Sequence, residues 1–195
     1  TGGAFDVTVQ PLWQLYADHF SRADAAAEGP GRNAVERVLD LVGYDGLLIE
    51  ADRVVFAKKG MAITLNGIAQ GFITDRIAEI LRSGGCDSVL ADLGEIRAVG
   101  THPNGRAWQV GLTDPRETGR IARKLDIKDQ AVATSAATGF QFDPNGRFYH
   151  LLDPATGTSA GRYAGVSVVA HDATTADALS TALTLMPMTE ADRVL

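Results

Sequence analysis

Cysteine is nearly absent from this chain: Cys86 is the single one in 195 residues. That excludes an intrachain disulfide and a thiolate zinc site. No apolar run approaches the roughly 20 residues needed to cross a bilayer. Thr1 is not followed by the charged, apolar and small-residue order of a signal peptide. Basic residues number 18 against 24 acidic ones, for a net charge of −6. Nucleic-acid binding needs clustered Lys and Arg to neutralise phosphates, so this balance argues against it. Internal repeats and low-complexity segments are missing. His19, His102 and His171 have no ligand-like spacing to one another and read as surface residues. What remains is a chain long enough to bury a real core, most simply as one domain.

The run His150-Leu151-Leu152-Asp153-Pro154-Ala155-Thr156-Gly157 is the most informative segment. Phe148-Tyr149 and Leu151-Leu152 predict a half-buried strand, and Asp-Pro and Thr-Gly a turn directly after it. A histidine held there is rigid on one side and open on the other, which suits a general base titrating near neutrality. A histidine that merely caps the turn or packs is the plain alternative.

Thr64-Leu65-Asn66-Gly67-Ile68-Ala69-Gln70-Gly71-Phe72 leads from a strand into a helix that runs to about Gly84. Ile73, Ile77, Ile80 and Leu81 recur at helical spacing and predict one buried stripe. Asn66 is a natural N-cap and Gly84-Gly85 a natural stop. Gly67 and Gly71 leave the first turn bare, so a phosphate could approach the positive helix end. Close packing of the helix through small residues explains the same glycines.

A further helix is expected from about Thr174 to Met186, with Leu179, Ala182, Leu183 and Met186 as its apolar stripe. Asp177, Thr181 and Thr184 fall on the opposite side, Asp177 and Thr181 four residues apart. A carboxylate and a hydroxyl side by side are hard oxygen ligands that could hold Mg²⁺ beside a phosphate. A solvated polar face would look the same in sequence.

Pro11 to Phe20 and Asn33 to Val42 read as helices on either side of the Gly29-Pro30-Gly31 break. Leu47 to Glu50 and Arg53 to Ala57 read as a hairpin. Six further strands are expected: Val89 to Ala91, Ile96 to Val99, Trp108 to Leu112, Ile121 to Ile127, Ala131 to Thr134 and Val166 to Ala170. Strand follows strand through the middle of the chain, so the class is α+β with a largely antiparallel sheet and packed helices. Asp143-Pro144-Asn145-Gly146 and His102-Pro103-Asn104-Gly105 read as hairpin turns. Trp13 and Trp108 read as core or rim aromatics.

Taken together, these segments resemble the ApbE family of FAD:protein FMN transferases along nearly the whole chain. Thr1-Gly2-Gly3-Ala4-Phe5-Asp6 is similar to the family's Gly-Ala-Phe-Asp entry motif. Leu65 to Asp75 is similar to its Gly-Ile-Ala-Lys-Gly-Tyr block, and Asp92-Leu93-Gly94-Glu95-Ile96-Arg97 to the strand turn that follows. Ala133-Thr134-Ser135, the His150 run and Ala176-Asp177-Ala178-Leu179 complete the order. Gln70 stands where many members have Lys, Phe72 where Tyr is common and Ala136 where Gly is frequent, and the Asp92 turn is one residue shorter. Members usually carry about a hundred residues before the entry motif and closing strands after the Asp177 helix. By that resemblance the chain reads as one ApbE-like domain shortened at both ends.

The resemblance implies an ApbE-like, T-fold-like architecture and Mg²⁺-dependent transfer of FMN from FAD to a Thr or Ser hydroxyl, with release of AMP. It implies His150 as base and Mg²⁺ held by Asp177, Thr181 and the Ala69 carbonyl, with Asp177 also counted as catalytic. Ala4, Phe5, Asp6, Asn66, Phe72, Asp75 and Leu151 would bind the FAD. It further implies an acceptor flavoprotein subunit of a membrane redox complex, and a periplasmic place or an anchor on the outer face of the inner membrane. Two other readings stay open: hydrolysis of FAD to FMN and AMP, and FAD binding without turnover.

Overall fold

The computed structural model describes residues 1–117 and 119–194. Its Cα packing divides the chain into two compact units. One comprises Thr1–Leu65, Ala137–Arg162 and Leu185–Leu195; the other comprises Asn66–Ala136 and Tyr163–Thr184.

The first unit is built on helices α1 (Gln10–Phe20) and α2 (Arg32–Leu39) and on an antiparallel hairpin of β1 (Leu47–Ile49) with β2 (Val54–Phe56). Leu12, Tyr16 and Leu152 form its buried centre, with Trp13, Phe20, Phe142 and Phe148 packed around them. The Tyr16 hydroxyl donates to the Gly157 carbonyl at 2.8 Å, so the turn after His150 is tied to α1. Gly157 has φ +73, and Asp153 Oδ1 accepts from the Ala155 N–H at 2.8 Å. That is the turn chemistry the residues predict.

The predicted strand at His150 does not form. Tyr149 and Leu152 each make an isolated bridge, to Gln141 and Ser159 respectively. The chain changes partner at His150: Phe142 N–H donates to the Phe148 carbonyl, whereas Ala160 N–H donates to that of Leu151. Two short loops pull on opposite sides of the histidine, so neither can extend into a ladder. Asp143 folds the first loop by accepting from the N–H groups of Phe148 and Asn145.

The second unit holds a four-stranded antiparallel sheet in the order β3 (Val89–Asp92), β4 (Ile96–Val99), β7 (Ala131–Ala136), β8 (Gly165–Ala170). A ribbon of β5 (Trp108–Thr113) and β6 (Ile121–Ile127) completes the β structure, and every strand pair is antiparallel. The expected α+β class is therefore observed. The His102 to Arg106 segment does turn, but it links β4 and β5, which lie in different sheets. Ala98, Val110, Ile127 and Val132 make the buried core.

Helix α3 (Ala69–Ser83) packs on β3 and β4. The predicted isoleucine stripe is not its buried face: Ile73 is 52% exposed and Ile80 61%. Gly71, Thr74 and Ala78 face inward instead. The reason is distance. A β-carbon at Gly71 would stand 2.3 Å from the Ala173 carbonyl oxygen, so the helices approach too closely for a branched side chain. No strand leads into α3 at Thr64-Leu65, and Asn66 is not the N-cap either. Ile68 takes that position with no side-chain hydrogen bond. The C-terminal stop at Gly84 is as expected.

Helix α4 (Ala173–Leu185) carries the predicted apolar stripe, but its other side is not a solvated face. Asp177, Ser180 and Thr184 are buried as well. His19 is half-buried, its Nε2 2.8 Å from the Ala26 carbonyl oxygen.

Candidate functional site

The start of α3 meets the first turns of α4 through two carboxylates. Asp177 Oδ2 accepts the main-chain N–H of Gly71 at 2.9 Å, one of the first N–H groups of α3. The acid thus takes the positive helix end that the bare glycine turn leaves open. Asp75, on α3, works in the reverse direction. Its Oδ1 accepts from Ala173 N at 2.8 Å, and its Oδ2 from Thr174 N at 2.8 Å and Thr174 Oγ1 at 2.6 Å. Arg97 Nε lies 3.5 Å from the same carboxylate. Each helix therefore has its N-terminus held by an acid from the other.

Asp177 does not sit alone. Glu95, in the turn between β3 and β4, is buried, and burial together with the charges of Asp177 and Asp92 pushes its carboxyl up to about 7. The Thr134 backbone hydrogen bond opposes that shift. Burial also raises Asp177, against the pull of the Gly71 N–H. Gln70 packs its amide over Gly94, whose φ is +104. On the facing strand, Ser135 Oγ lies 2.8 Å from Ser180 Oγ and 3.2 Å from Thr181 Oγ1.

Within the first unit, His150 is set by its Phe140 partner. Nδ1 lies 3.1 Å from the Phe140 carbonyl oxygen, and the His150 main-chain N–H donates to the same carbonyl. A carbonyl only accepts, so Nδ1 carries the proton and Nε2 is the basic nitrogen. Burial lowers the His150 pKa, with the Phe140 bond pulling the other way. The imidazole is therefore neutral at pH 7, the form a base requires.

The predicted site residues fall in both units. Asn66, Ala69, Phe72, Asp75, Asp177 and Thr181 belong to the second; Ala4, Phe5, Asp6, His150 and Leu151 belong to the first. The structure brings Asp75 and Asp177 together at the α3–α4 junction, and Thr181 lies one turn along α4 from Asp177. Ala69 opens α3 two residues before Gly71. Phe72 is exposed and, with Asp75, Arg97 and His171, lines a cavity of about 340 Å³. Asp6 is buried and spends both oxygens on its own unit, accepting from Thr8 N, Thr8 Oγ1 and Tyr44 N. Leu151 is a core residue beside Tyr149 and Ala160. Sequence reasoning gave no role to Glu95, Ser135 or Ser180. An acid in a strand turn and serines in a strand and a helix are ordinary there; only the burial of Glu95 and Ser180 and the hydroxyl contacts of Ser135 set them apart.

The donor set suits a hard cation. Asp177 offers a carboxylate, Thr181 a hydroxyl and Ala69 a main-chain carbonyl, all oxygen, the kind Mg²⁺ takes. Asp177 and Glu95 bury two acids near each other, and among the described residues neither is paired with Lys, Arg or His. A bound cation would relieve that charge. Among the described residues no group of three or more His, Cys, Asp or Glu is arranged to hold a metal. A cation here would rest instead on one carboxylate with hydroxyl and carbonyl oxygens, a donor chemistry that fits it.

Against known proteins, the sequence matches the ApbE family model across residues 1–195. It is 33% identical to an FAD:protein FMN transferase of Treponema pallidum, the match taking in 93% of this chain and 54% of that protein. For an FAD:protein FMN transferase of Haemophilus influenzae the identity is 31%, with 94% and 55% covered. The fold is similar to the crystal structure of the ApbE protein of Thermotoga maritima, with a TM-score of 0.86 and 34% identity over 99% of this chain and 63% of that one. It is also similar to the flavin transferase ApbE of Vibrio cholerae, with a TM-score of 0.82, 28% identity, and 99% and 62% covered. The chain spans about half the length of the curated relatives it matches.

Proposed function

Because the chain belongs to the ApbE family, we propose that it carries the transfer machinery for moving FMN from FAD to a Thr or Ser hydroxyl of an acceptor protein, with AMP as the leaving group. The observation that carries this reading is the buried Asp177 carboxylate held on the α3 N-terminus, beside a second acid and a hydroxyl, in an all-oxygen donor set. Such a set is suited to a divalent cation and, through it, to a diphosphate.

In the transfer, the acceptor oxygen bonds to the FMN phosphorus, the bridging P–O bond breaks and AMP departs. The hydroxyl proton passes to Nε2 of His150, which the Nδ1–H bond to Phe140 keeps in the accepting tautomer. Asp177, Thr181 and the Ala69 carbonyl would hold Mg²⁺. Bound there, the cation would supply charge neutralisation for the diphosphate. Gly71 keeps Asp177 aimed, and Asp75 keeps α4 seated so that Thr181 stays beside it. Phe72, exposed next to the Asp75 cavity, offers an aromatic face for a ring of the flavin nucleotide. A flavoprotein subunit of a membrane redox complex is the acceptor we propose, on the strength of the family alone.

Incubation with FAD, Mg²⁺ and an acceptor peptide carrying a Ser or Thr tests the reading. Covalent FMN on the peptide supports it. Free FMN with no adduct replaces it with FAD hydrolysis, and unchanged FAD replaces it with a binding role.

A further inference from the structure

Proton accounting along the hydroxyls behind the proposed cation site leads to one arrangement. A serine or threonine hydroxyl has a single proton to give. Ser180 Oγ donates its proton to the Asp177 main-chain carbonyl at 2.9 Å, and a carbonyl cannot donate in return. The 2.8 Å contact between Ser135 and Ser180 must then be donated by Ser135. With that proton committed, the 3.2 Å contact between Ser135 and Thr181 must be donated by Thr181. The chain runs in one direction: Thr181 to Ser135, Ser135 to Ser180, Ser180 to the Asp177 carbonyl.

We propose that Ser135 and Ser180 are positioning residues that hold the Thr181 proton away from the cation, so that Thr181 Oγ1 meets the metal with its lone pairs. This rests on the reading of Asp177 and Thr181 as cation ligands. A hydroxyl ligates a cation through oxygen and is repelled through hydrogen, so a fixed rotor removes the cost of turning it. The relay ends on the backbone of Asp177, so one chain orients the hydroxyl ligand and braces the residue that supplies the carboxylate. Ser180 is 1% exposed, and its isosteric replacement by Ala removes the relay with little change in packing.

Mn²⁺ binding to the purified chain, followed by electron paramagnetic resonance of the free ion, tests this, since Mn²⁺ takes the same hard ligands. Ser135→Ala and Ser180→Ala should each weaken Mn²⁺ about 10-fold or more, the usual effect of removing a partner behind a metal ligand. Their melting temperatures should stay near that of the parent. Ser135→Thr, which keeps a hydroxyl on the strand, should restore binding. The double Ala variant should be no worse than either single one, because both break the same chain. Undiminished Mn²⁺ affinity in Ser135→Ala, with Asp177→Asn unable to bind, overturns the relay and leaves the cation site standing. A parent that binds no Mn²⁺, or an Asp177→Asn that binds it as well as the parent, overturns the cation reading and the relay together. Should Ser135→Ala fail to fold, Ser180→Ala decides the question.

Discussion

The Gly71 N–H donates to Asp177 Oδ2 at 2.9 Å, and a β-carbon on Gly71 would stand 2.8 Å from the Asp177 β-carbon. Glycine and acid fit each other because nothing else fits between them. The Ala173 carbonyl oxygen is closer still, at 2.3 Å, and it is backbone that cannot swing aside. Gly71→Ala should therefore force α3 and α4 apart. The expected cost is about 1–3 kcal/mol, the range for overpacking, together with weaker cation binding. A thermal melt with the parent's midpoint would show that the helices can part without strain.

Asp75 separates a scaffold role from a ligand role. It receives three hydrogen bonds from Ala173 and Thr174. Asp75→Ala should cost about 1–2 kcal/mol in denaturant unfolding, as loss of a helix cap does. Asp75→Asn should recover part of that, since one acceptor oxygen remains. Full stability in Asp75→Ala combined with lost FAD affinity would place the residue in the nucleotide pocket instead.

His150 sets the lower limb of the pH profile. Transfer requires the neutral ring, so the rate should rise with pH through the His150 pKa, and burial holds that value below the ordinary 6.5. His150→Asn should lower transfer by roughly 10²–10⁴-fold while FAD still binds. A rising limb well above neutrality, or an asparagine variant with full activity, would remove His150 from the proton transfer.

Glu95 should make the metal-free protein less stable in base than in acid. Its folded pKa of about 7 lies above the ordinary 4.5, so the folded state holds the proton more tightly than the unfolded chain. That contribution is full below pH 4.5 and is lost as pH rises through about 7. Glu95→Gln cannot ionise and should gain on the parent across that window, by about 3 kcal/mol at most. Urea unfolding in EDTA at pH 5 and pH 8 measures it. Parallel stabilities for the two proteins at both pH values would mean that the Glu95 environment is more polar than its burial indicates.

The elements were legible in the residues, and the faces of the helices were not. Periodicity placed α1, α3, α4 and the eight strands of the described residues within a residue or two of where they form, because apolar spacing is a local property. It chose the wrong face of α3. Ile73, Ile77, Ile80 and Leu81 carry the apolar signal, but the approach of Ala173 selects Gly71, Thr74 and Ala78. Asp177 was legible as an acid at helical spacing from Thr181, yet its burial depends on α3, more than a hundred residues earlier in the chain. Nor could the predicted strand at His150 be judged locally, since its two sides pair with Phe140 to Phe142 and with Ser159-Ala160. Glu95, Ser135 and Ser180 acquire meaning through contacts that no spacing encodes.

The most direct test is mass spectrometry of an acceptor peptide after incubation with this protein, FAD and Mg²⁺, run alongside Asp177→Ala and His150→Asn. The parent should leave one FMN phosphoester on the peptide and release AMP in equal amount. Asp177→Ala should leave none while remaining folded by circular dichroism, and His150→Asn should leave a trace. An FMN adduct that forms equally well with Asp177→Ala, or a parent that yields free FMN and an unmodified peptide, would contradict the account.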